Sequence, residues 1–263
     1  MAMSETLPAL FVVLLLELVL PVALVRLACY LERQPFHQLV LRRLAQSYCV
    51  LMHNLRANRR STVPAEGPAI VVANHVCNLD PVFLQCTTRH RVISFFMAAE
   101  YLRFWIFKPI YDVTQVIPVA RTGRDTGPAL AGLRTLKAGR VLGIFPEGGI
   151  KLERDQIGPP RLGAAFLAIK SQAPVVPAYI DRALHTHSLT EALMRRCTTK
   201  VYYGPPLDLS RFYGQRVTDE LLEEAADMIM DAIGRLCPRP VRILHCRDVG
   251  SAPPVHAAQR VAR

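Results

Sequence analysis

Asn74-His75-Val76-Cys77-Asn78-Leu79-Asp80-Pro81 is the stretch whose residue types best suit chemistry. A histidine followed by an aspartate offers a base and a carboxylate to orient it. An imidazole with its ordinary pKa of about 6.5 exchanges a proton close to neutral pH. The spacing does not fit one continuous helix, where residues five apart are rotated by about 140°. The two side chains meet only if His75 lies in a turn and Asp80 at or near the start of a helix. Asp80-Pro81 predicts such a start, with Asp as N-cap and Pro at the first helical position. The same residues also read as an ordinary helix cap with no chemistry. Cys77 adds a thiol nucleophile two residues from the same histidine, which would make a thioesterase or a ping-pong transferase.

Three further stretches carry reactive or ligand-binding types. Ile117-Pro118-Val119-Ala120-Arg121-Thr122-Gly123 places Arg121 just beyond a strand, with Arg124 following. A guanidinium there can hold a phosphate in a planar fork that lysine does not match. Phe145-Pro146-Glu147-Gly148-Gly149 puts a carboxylate in a tight turn after the apolar run Val141–Ile144. The two glycines permit positive φ and close approach of a ligand to backbone N–H groups. Ala173-Pro174-Val175-Val176-Pro177-Ala178-Tyr179-Ile180 is an apolar strand interrupted by Pro177, a pattern that predicts an edge strand or a bulge.

The elements that must position these residues alternate strand and helix from Pro68 onward, which predicts an α/β domain. Strands are expected at Ala69–Ala73, Val92–Met97, Gln115–Val119, Val141–Phe145, Val175–Ile180 and Lys200–Tyr203. Helices are expected at Val82–Thr88, Ala98–Phe107, Pro128–Ala138, Leu162–Ser171, Leu189–Arg196 and Asp219–Leu236, the last capped by Thr218. Ahead of them, Leu7 to Val25 is almost wholly apolar and approaches the ~20 residues of a spanning helix. Glu17 and Pro21 interrupt it. Phe36 to Arg56 combines apolar residues with Arg42, Arg43 and Arg56, a pattern suited to a helix lying among lipid headgroups. The expected organisation is membrane-anchoring helices over 1–60, an α/β domain over 61–237, and a poorly ordered basic tail over 238–263.

Composition agrees with a membrane surface as partner. The 263 residues are 51% hydrophobic with positive mean hydropathy, and carry a net charge of +11. A basic, apolar chain favours anionic lipid over nucleic acid, for which no helix-turn-helix, zinc-finger or RNA-recognition signature is present. Seven scattered cysteines without a C-x-x-C pair point to reduced thiols and to neither a disulfide framework nor a zinc site.

In order and interval, the blocks around His75, Arg121, Glu147 and Pro177 resemble those of the glycerolipid acyltransferases typified by lysophosphatidic acid acyltransferase. The resemblance covers roughly residues 68–180, with a helical N-terminus of the right kind. It implies a single acyltransferase domain with a mixed sheet flanked by helices, preceded by a monotopic two-helix anchor. By the same resemblance His75 is the base, Asp80 orients it, Arg121 binds the acceptor phosphate, and Glu147 and Gly148 shape the acceptor site. Asn74, Gly149, Lys151 and Pro177 join the expected substrate contacts.

The reaction expected from the resemblance moves an acyl group from acyl-CoA or an acyl carrier protein to a lysophospholipid hydroxyl, with lysophosphatidic acid as acceptor. No metal, cofactor or covalent intermediate is expected, and the domain should face the cytoplasm on a membrane. Three positions depart from the family pattern: Cys77 stands where Ser is common, Gln115 where Gly is common, and Gly149-Ile150-Lys151 where Thr-Arg-Ser usually follows the first glycine. An arginine that helps grip phosphate is thereby absent at 150, with Lys151 or Arg154 as its expected substitute. Two other readings are a different lysolipid acceptor and a non-catalytic lipid-binding protein, the latter separated by whether the purified chain turns over a thioester at all.

Overall fold

The computed structural model describes residues 23, 26–27, 30, 35–58, 61–88, 91–103, 108–119 and 127–248. The apolar run 7–25, apart from Ala23, lies outside them, as do Arg121 and Arg124. Among the described residues no helix is long and apolar enough to cross a membrane. The chain divides into two units, residues 1–44 and 45–263, with the division inside helix α1, Phe36–His53.

The second unit is built on a seven-stranded sheet. Its strands are β1 (Arg56–Ala57), β2 (Ala69–Ala73), β3 (Ile93–Ala98), β4 (Ile117–Val119), β5 (Val141–Ile144), β7 (Val175–Asp181) and β8 (Lys200–Tyr203). They lie in the order β1-β8-β7-β2-β5-β3-β4. Every pair is parallel except β7–β8, so the sheet is mixed, as expected. Two short strands, β6 (Gln156–Ile157) and β9 (Arg242–Ile243), pair separately.

β2 lies at the centre, and its sequence explains why. Parallel strands covered on both faces read as unbroken apolar runs, because alternate side chains point into two different cores. Ile70 and Val72 enter one core, beneath α4 (Gly127–Lys137), α5 (Gly163–Ser171) and α7 (Asp219–Gly234). Ala69, Val71 and Ala73 enter the other, beneath α2 (Asp80–Thr87), α6 (Leu189–Met194) and the second half of α1. All five are wholly buried, and each branched side chain contributes about 2 kcal/mol by leaving water. The ends of parallel β2 and β5, side by side, bring residues 74–80 next to 145–149.

Several elements differ from expectation. Of the helix expected at Ala98–Phe107, Ala98 continues β3 and Ala99–Arg103 form a 3-10 turn, while residues 104–107 lie outside the described residues. The pairing of Met97 and Ala98 with Pro118 and Val119 of β4 holds them extended, against their helical preference. A helix that the pattern did not show, α3 (Lys108–Thr114), ends where Gln115 takes φ 48°, so β4 begins at Ile117 rather than Gln115.

Pro177 lies in an interior strand, not at an edge. Its carbonyl accepts from Gly204 N–H at 3.0 Å, and the Gly204 carbonyl, with no N–H from proline to meet, accepts from the Thr62 hydroxyl at 2.5 Å. The pairing of β7 with the chain after β8 also slips by one residue, from Ala178 opposite Tyr203 to Val175 opposite Leu207. The irregularity that proline demands is thus carried by the partner segment. The expected basic tail is likewise structured as far as Asp248: β9 pairs with β6, and Cys246 N–H donates to Asp227 at 2.9 Å. Thr218 caps α7 as expected, its side chain accepting from Leu221 N–H at 3.2 Å.

Candidate active site

β2 ends at Ala73, and Asn74, next along the chain, closes the strand rather than reaching outward. Its amide oxygen accepts from Ile180 N–H at 2.7 Å and its amide N–H donates to the Ile180 carbonyl at 3.0 Å. The side chain thereby mimics one more residue of sheet pairing, and it is buried.

The chain then turns, and the turn is organised by Asp80. One carboxylate oxygen, Oδ2, accepts from His75 Nδ1 at 2.8 Å, Val76 N–H at 2.6 Å and Cys77 N–H at 2.9 Å. The other, Oδ1, accepts from the Cys77 thiol at 3.2 Å. Asp80 is not the cap of α2, as the sequence predicted: Leu79 holds that position and Asp80 is the first helical residue. Its carboxylate reaches backward over the turn instead of forward into the helix, and that is what folds the chain so that residues five apart meet.

Since both carboxylate oxygens act as acceptors, Nδ1 of His75 carries the proton that it shares with Asp80, and Nε2 carries a lone pair. The imidazole lies flat on the Phe145 ring, with centroids 4.1 Å apart and planes within 13°. Phe145 in turn stacks on Phe95 at 5.6 Å. Gly143 makes this possible, because a Cβ there would overlap the Phe95 ring. The histidine is therefore held by an acid at one nitrogen and an apolar plate on one face. Its side chain is 17% exposed and its remaining nitrogen has no hydrogen-bond partner among the described residues, whereas Asp80 is wholly buried.

Cys77 is the wrong thiol for a nucleophile. It is buried, it spends its proton on Asp80, and burial followed by the Asp80 charge pushes its pKa up. Residues 74–79 also do not form the extended strand that would have aligned Cys77 with His75.

Glu147 ties the second turn to the first. One oxygen accepts from His75 N–H at 2.8 Å and the other from Gly158 N–H at 2.7 Å. Burial pushes its pKa up to about 7, against these two hydrogen bonds and the charges of His75 and Lys151, which pull it down. Gly148 follows with φ 68°, a conformation that requires glycine there. Lys151 N–H donates to the His75 carbonyl at 2.8 Å, so 147–151 grips the histidine from both sides of its backbone.

His75, Asp80, Glu147, Gly148, Gly149 and Lys151 are thus brought together. Pro177 is not: it shares the parity of Val175 and Tyr179, whose side chains enter the core beneath α4, α5 and α7. Arg121 lies outside the described residues. The sequence pattern missed Phe95, Gly143 and Gly158, which hold the site without carrying a reactive group. Only Phe145, next to the Pro-Glu-Gly turn, offered any signal.

Comparison with known proteins agrees with this geometry. Residues 54–181 match the family model described as Acyltransferase. A probable 1-acyl-sn-glycerol-3-phosphate acyltransferase of Mycoplasma pneumoniae is 32% identical over 116 residues, which is 42% of this chain and 43% of the relative. The chain thus matches less than half the length of that relative. The crystal structure of the 1-acyl-sn-glycerophosphate (LPA) acyltransferase PlsC from Thermotoga maritima superposes with a TM-score of 0.60 at 16% identity. That match covers 87% of this chain and 93% of the other, and shows a shared fold. The matched segment contains both His75 and Glu147, and over it the chain is similar to the acyltransferase family.

Proposed function

We propose that this chain is a membrane-associated O-acyltransferase that moves a fatty acyl group from a thioester donor to the free hydroxyl of lysophosphatidic acid. The observation that carries the reading is the His75–Asp80 pair: an imidazole whose protonated nitrogen is fixed at 2.8 Å while the other stands open. Nε2 removes the proton from the acceptor hydroxyl as that oxygen attacks the thioester carbon. Asp80 stabilises the imidazolium that forms, and the proton passes to the departing thiolate.

The tetrahedral oxyanion needs donors, and the hydrogen-bond pattern narrows the choice. The N–H groups of His75, Val76 and Cys77 are spent on carboxylates, and that of Gly148 on the Phe145 carbonyl. Gly149 and Ile150, next along the same turn, have N–H groups without such partners among the described residues, and we assign them this task. The acyl donor is acyl-CoA or an acyl carrier protein, with no further cofactor. The reading of lysophosphatidic acid as acceptor draws on the names of the two relatives.

Membrane association rests on α1 and on the apolar run before it. Phe36, Val40, Leu44, Val50 and Leu51 are exposed on one side of that helix, with Arg43 among them, which suits a bilayer surface with the domain on the cytoplasmic side. The test is thiol release from palmitoyl-CoA by detergent-purified protein with and without lysophosphatidic acid, beside His75→Ala. Release that requires the acceptor and disappears in the variant supports direct transfer. Release without any acceptor would make the protein a thioesterase and defeat the proposal.

A further inference from the structure

The stretch 145–162, between β5 and α5, carries the Glu147 turn and contains one regular element, the two-residue strand β6. A strand pair that short does not hold itself, since even a longer isolated two-stranded pair is only marginally stable in water. What holds β6 is the C-terminal segment. Arg242 N–H donates to the Asp155 carbonyl at 2.9 Å, and Leu244 N–H to the Ile157 carbonyl at 3.1 Å. Ile243, between them in sequence, packs on the last residue of α7: a Cβ on Gly234 would overlap Cδ1 of Ile243 and lie 3.8 Å from Cδ1 of Ile157. Gly158, next after β6, gives its N–H to one oxygen of Glu147 at 2.7 Å, and the other oxygen takes His75 N–H at 2.8 Å. A continuous run of contacts thus joins the C-terminal segment to the backbone of the base.

The segment is itself fastened on both sides of β9. Ahead of it, Arg239 Nη2 donates to Asp181 at 2.6 Å, a buried carboxylate at the end of β7, one residue beyond the Asn74–Ile180 pairing. Behind it, His245 Nε2 meets Asp231 Oδ1 at 2.9 Å, and Cys246 N–H donates to Asp227 Oδ1 at 2.9 Å. The two aspartates lie one turn apart on α7. Ordering a backbone costs about 1–2 kcal/mol per residue. Of residues 239–248 only Cys246 is buried, so the segment brings little core of its own against that cost. What it adds is the placement of β6, whose Ile157 is buried. It also lies beyond residues 54–181, the part that the family model matches.

We propose that residues 239–248 are a positioning clasp for acyl transfer. By holding β6 they set the Gly158 N–H against Glu147, and Glu147 in turn fixes the His75 backbone. The N–H groups of Gly149 and Ile150 lie on the chain between those two anchors and are held with them. The inference rests on the acyl-transfer reading above. The clasp acts on kcat through position and leaves substrate affinity as it is.

The experiment measures kcat and KM for palmitoyl-CoA and lysophosphatidic acid in the full chain carrying Leu244→Pro, which removes the N–H bound to Ile157. Ile243→Ala is the milder variant, and it carries the test if the proline variant does not fold. Arg216→Ala, an exposed arginine ahead of α7, serves as control. The clasp predicts that Leu244→Pro lowers kcat about 10- to 100-fold, the scale of a misplaced catalytic group, and that Ile243→Ala lowers it less. KM for both substrates should stay within about threefold. Each clasp variant is then combined with Glu147→Gln. Since both changes act on one run of contacts, the combined loss should be smaller than the product of the separate losses. Losses that multiply, or a kcat unchanged in both clasp variants, overturn the clasp. If the wild-type protein turns over no thioester, the acyl-transfer reading fails separately, and amide hydrogen exchange decides the clasp. Exchange about tenfold faster at Gly158 and His75, with the β2 amides unchanged, supports it. Equal rates, or faster exchange throughout the sheet, overturn it.

Discussion

Of the histidines held against polar partners, His75 and His53 make the sharpest contrast, and of these two only His75 is equipped for chemistry. His75 meets Asp80 at 2.8 Å, and His53 meets the Cys197 thiol at 3.2 Å. Both also touch aromatic rings, His75 stacked on Phe145 and His53 edge-on to Phe83 at 5.2 Å. The difference lies in the second nitrogen. Nε2 of His53 faces the Tyr48 hydroxyl at 3.3 Å, the residue is buried, and burial pushes its pKa down. A base needs one nitrogen fixed by an acid and the other free. His53 has neither, and serves to join α1 to the loop before β8.

The largest effect that sharpens this contrast is the loss of each imidazole. His75→Ala should lower kcat/KM about 1,000-fold or more, the range of a general base, with little change in melting temperature. His53→Ala should reverse the pattern, leaving kcat/KM within a few-fold and costing about 2–3 kcal/mol of stability in denaturant titrations. Equal loss of activity in the two variants would erase the distinction. Asp80→Asn comes next, with a fall of about 100- to 10,000-fold in kcat and an unchanged KM. Its amide N–H₂ would confront the donors of His75, Val76 and Cys77, which now converge on the carboxylate.

Proton linkage separates two buried groups by sign. Glu147, with its pKa raised by burial to about 7, favours folding most when protonated, and that contribution is lost as pH rises from about 4.5 through 7. Ionised, however, it is the acceptor of two N–H groups, so activity should rise over the range in which stability falls. His53, held neutral by burial, acts in the opposite direction: its contribution is present above about 6.5 and is lost as pH falls below that. Between pH 4 and 8, Glu147→Gln should therefore remove a fall in denaturation midpoint over about 4.5 to 7, and His53→Gln should remove a rise with pH below about 6.5. Identical profiles for wild type and Glu147→Gln would show that the carboxylate does not titrate there. The smallest effect is expected from Cys77→Ser, which keeps a donor toward Asp80. Activity in a thioester assay should stay within a few-fold, and a collapse would return Cys77 to candidacy as the nucleophile.

Much of the sheet was legible because strands buried on both faces must be apolar throughout. Ala69–Ala73, Val175–Ile180 and Lys200–Tyr203 appear where the pattern placed them, β7 running on to Asp181. The segments that failed are those whose conformation is set by a neighbour. β3 extends through Ala98 because β4 pairs with it, and β9 forms because β6 offers it an edge. Pro177 was half legible: a missing N–H marks an irregular ladder, seen as the one-residue slip opposite it, but not which strand bends to accommodate it. In the site, the reactive types and their chain order were readable, while the use of the Asn74 amide on Ile180 was not.

The sequence by itself determined the chemical inventory: a histidine with a carboxylate five residues on, a Pro-Glu-Gly-Gly turn after an apolar strand, and the α/β alternation that brings strand ends together. Residue type dictates what a side chain can donate, accept or titrate, so that inventory needs no coordinates. Only the tertiary structure decided which groups are spent and which are open. It closed Cys77 and His53, left one nitrogen of His75 free, gave Glu147 two backbone donors in an apolar setting, and laid Arg161 on Gly148. Burial and distance set those outcomes, and both arise between residues far apart in the chain.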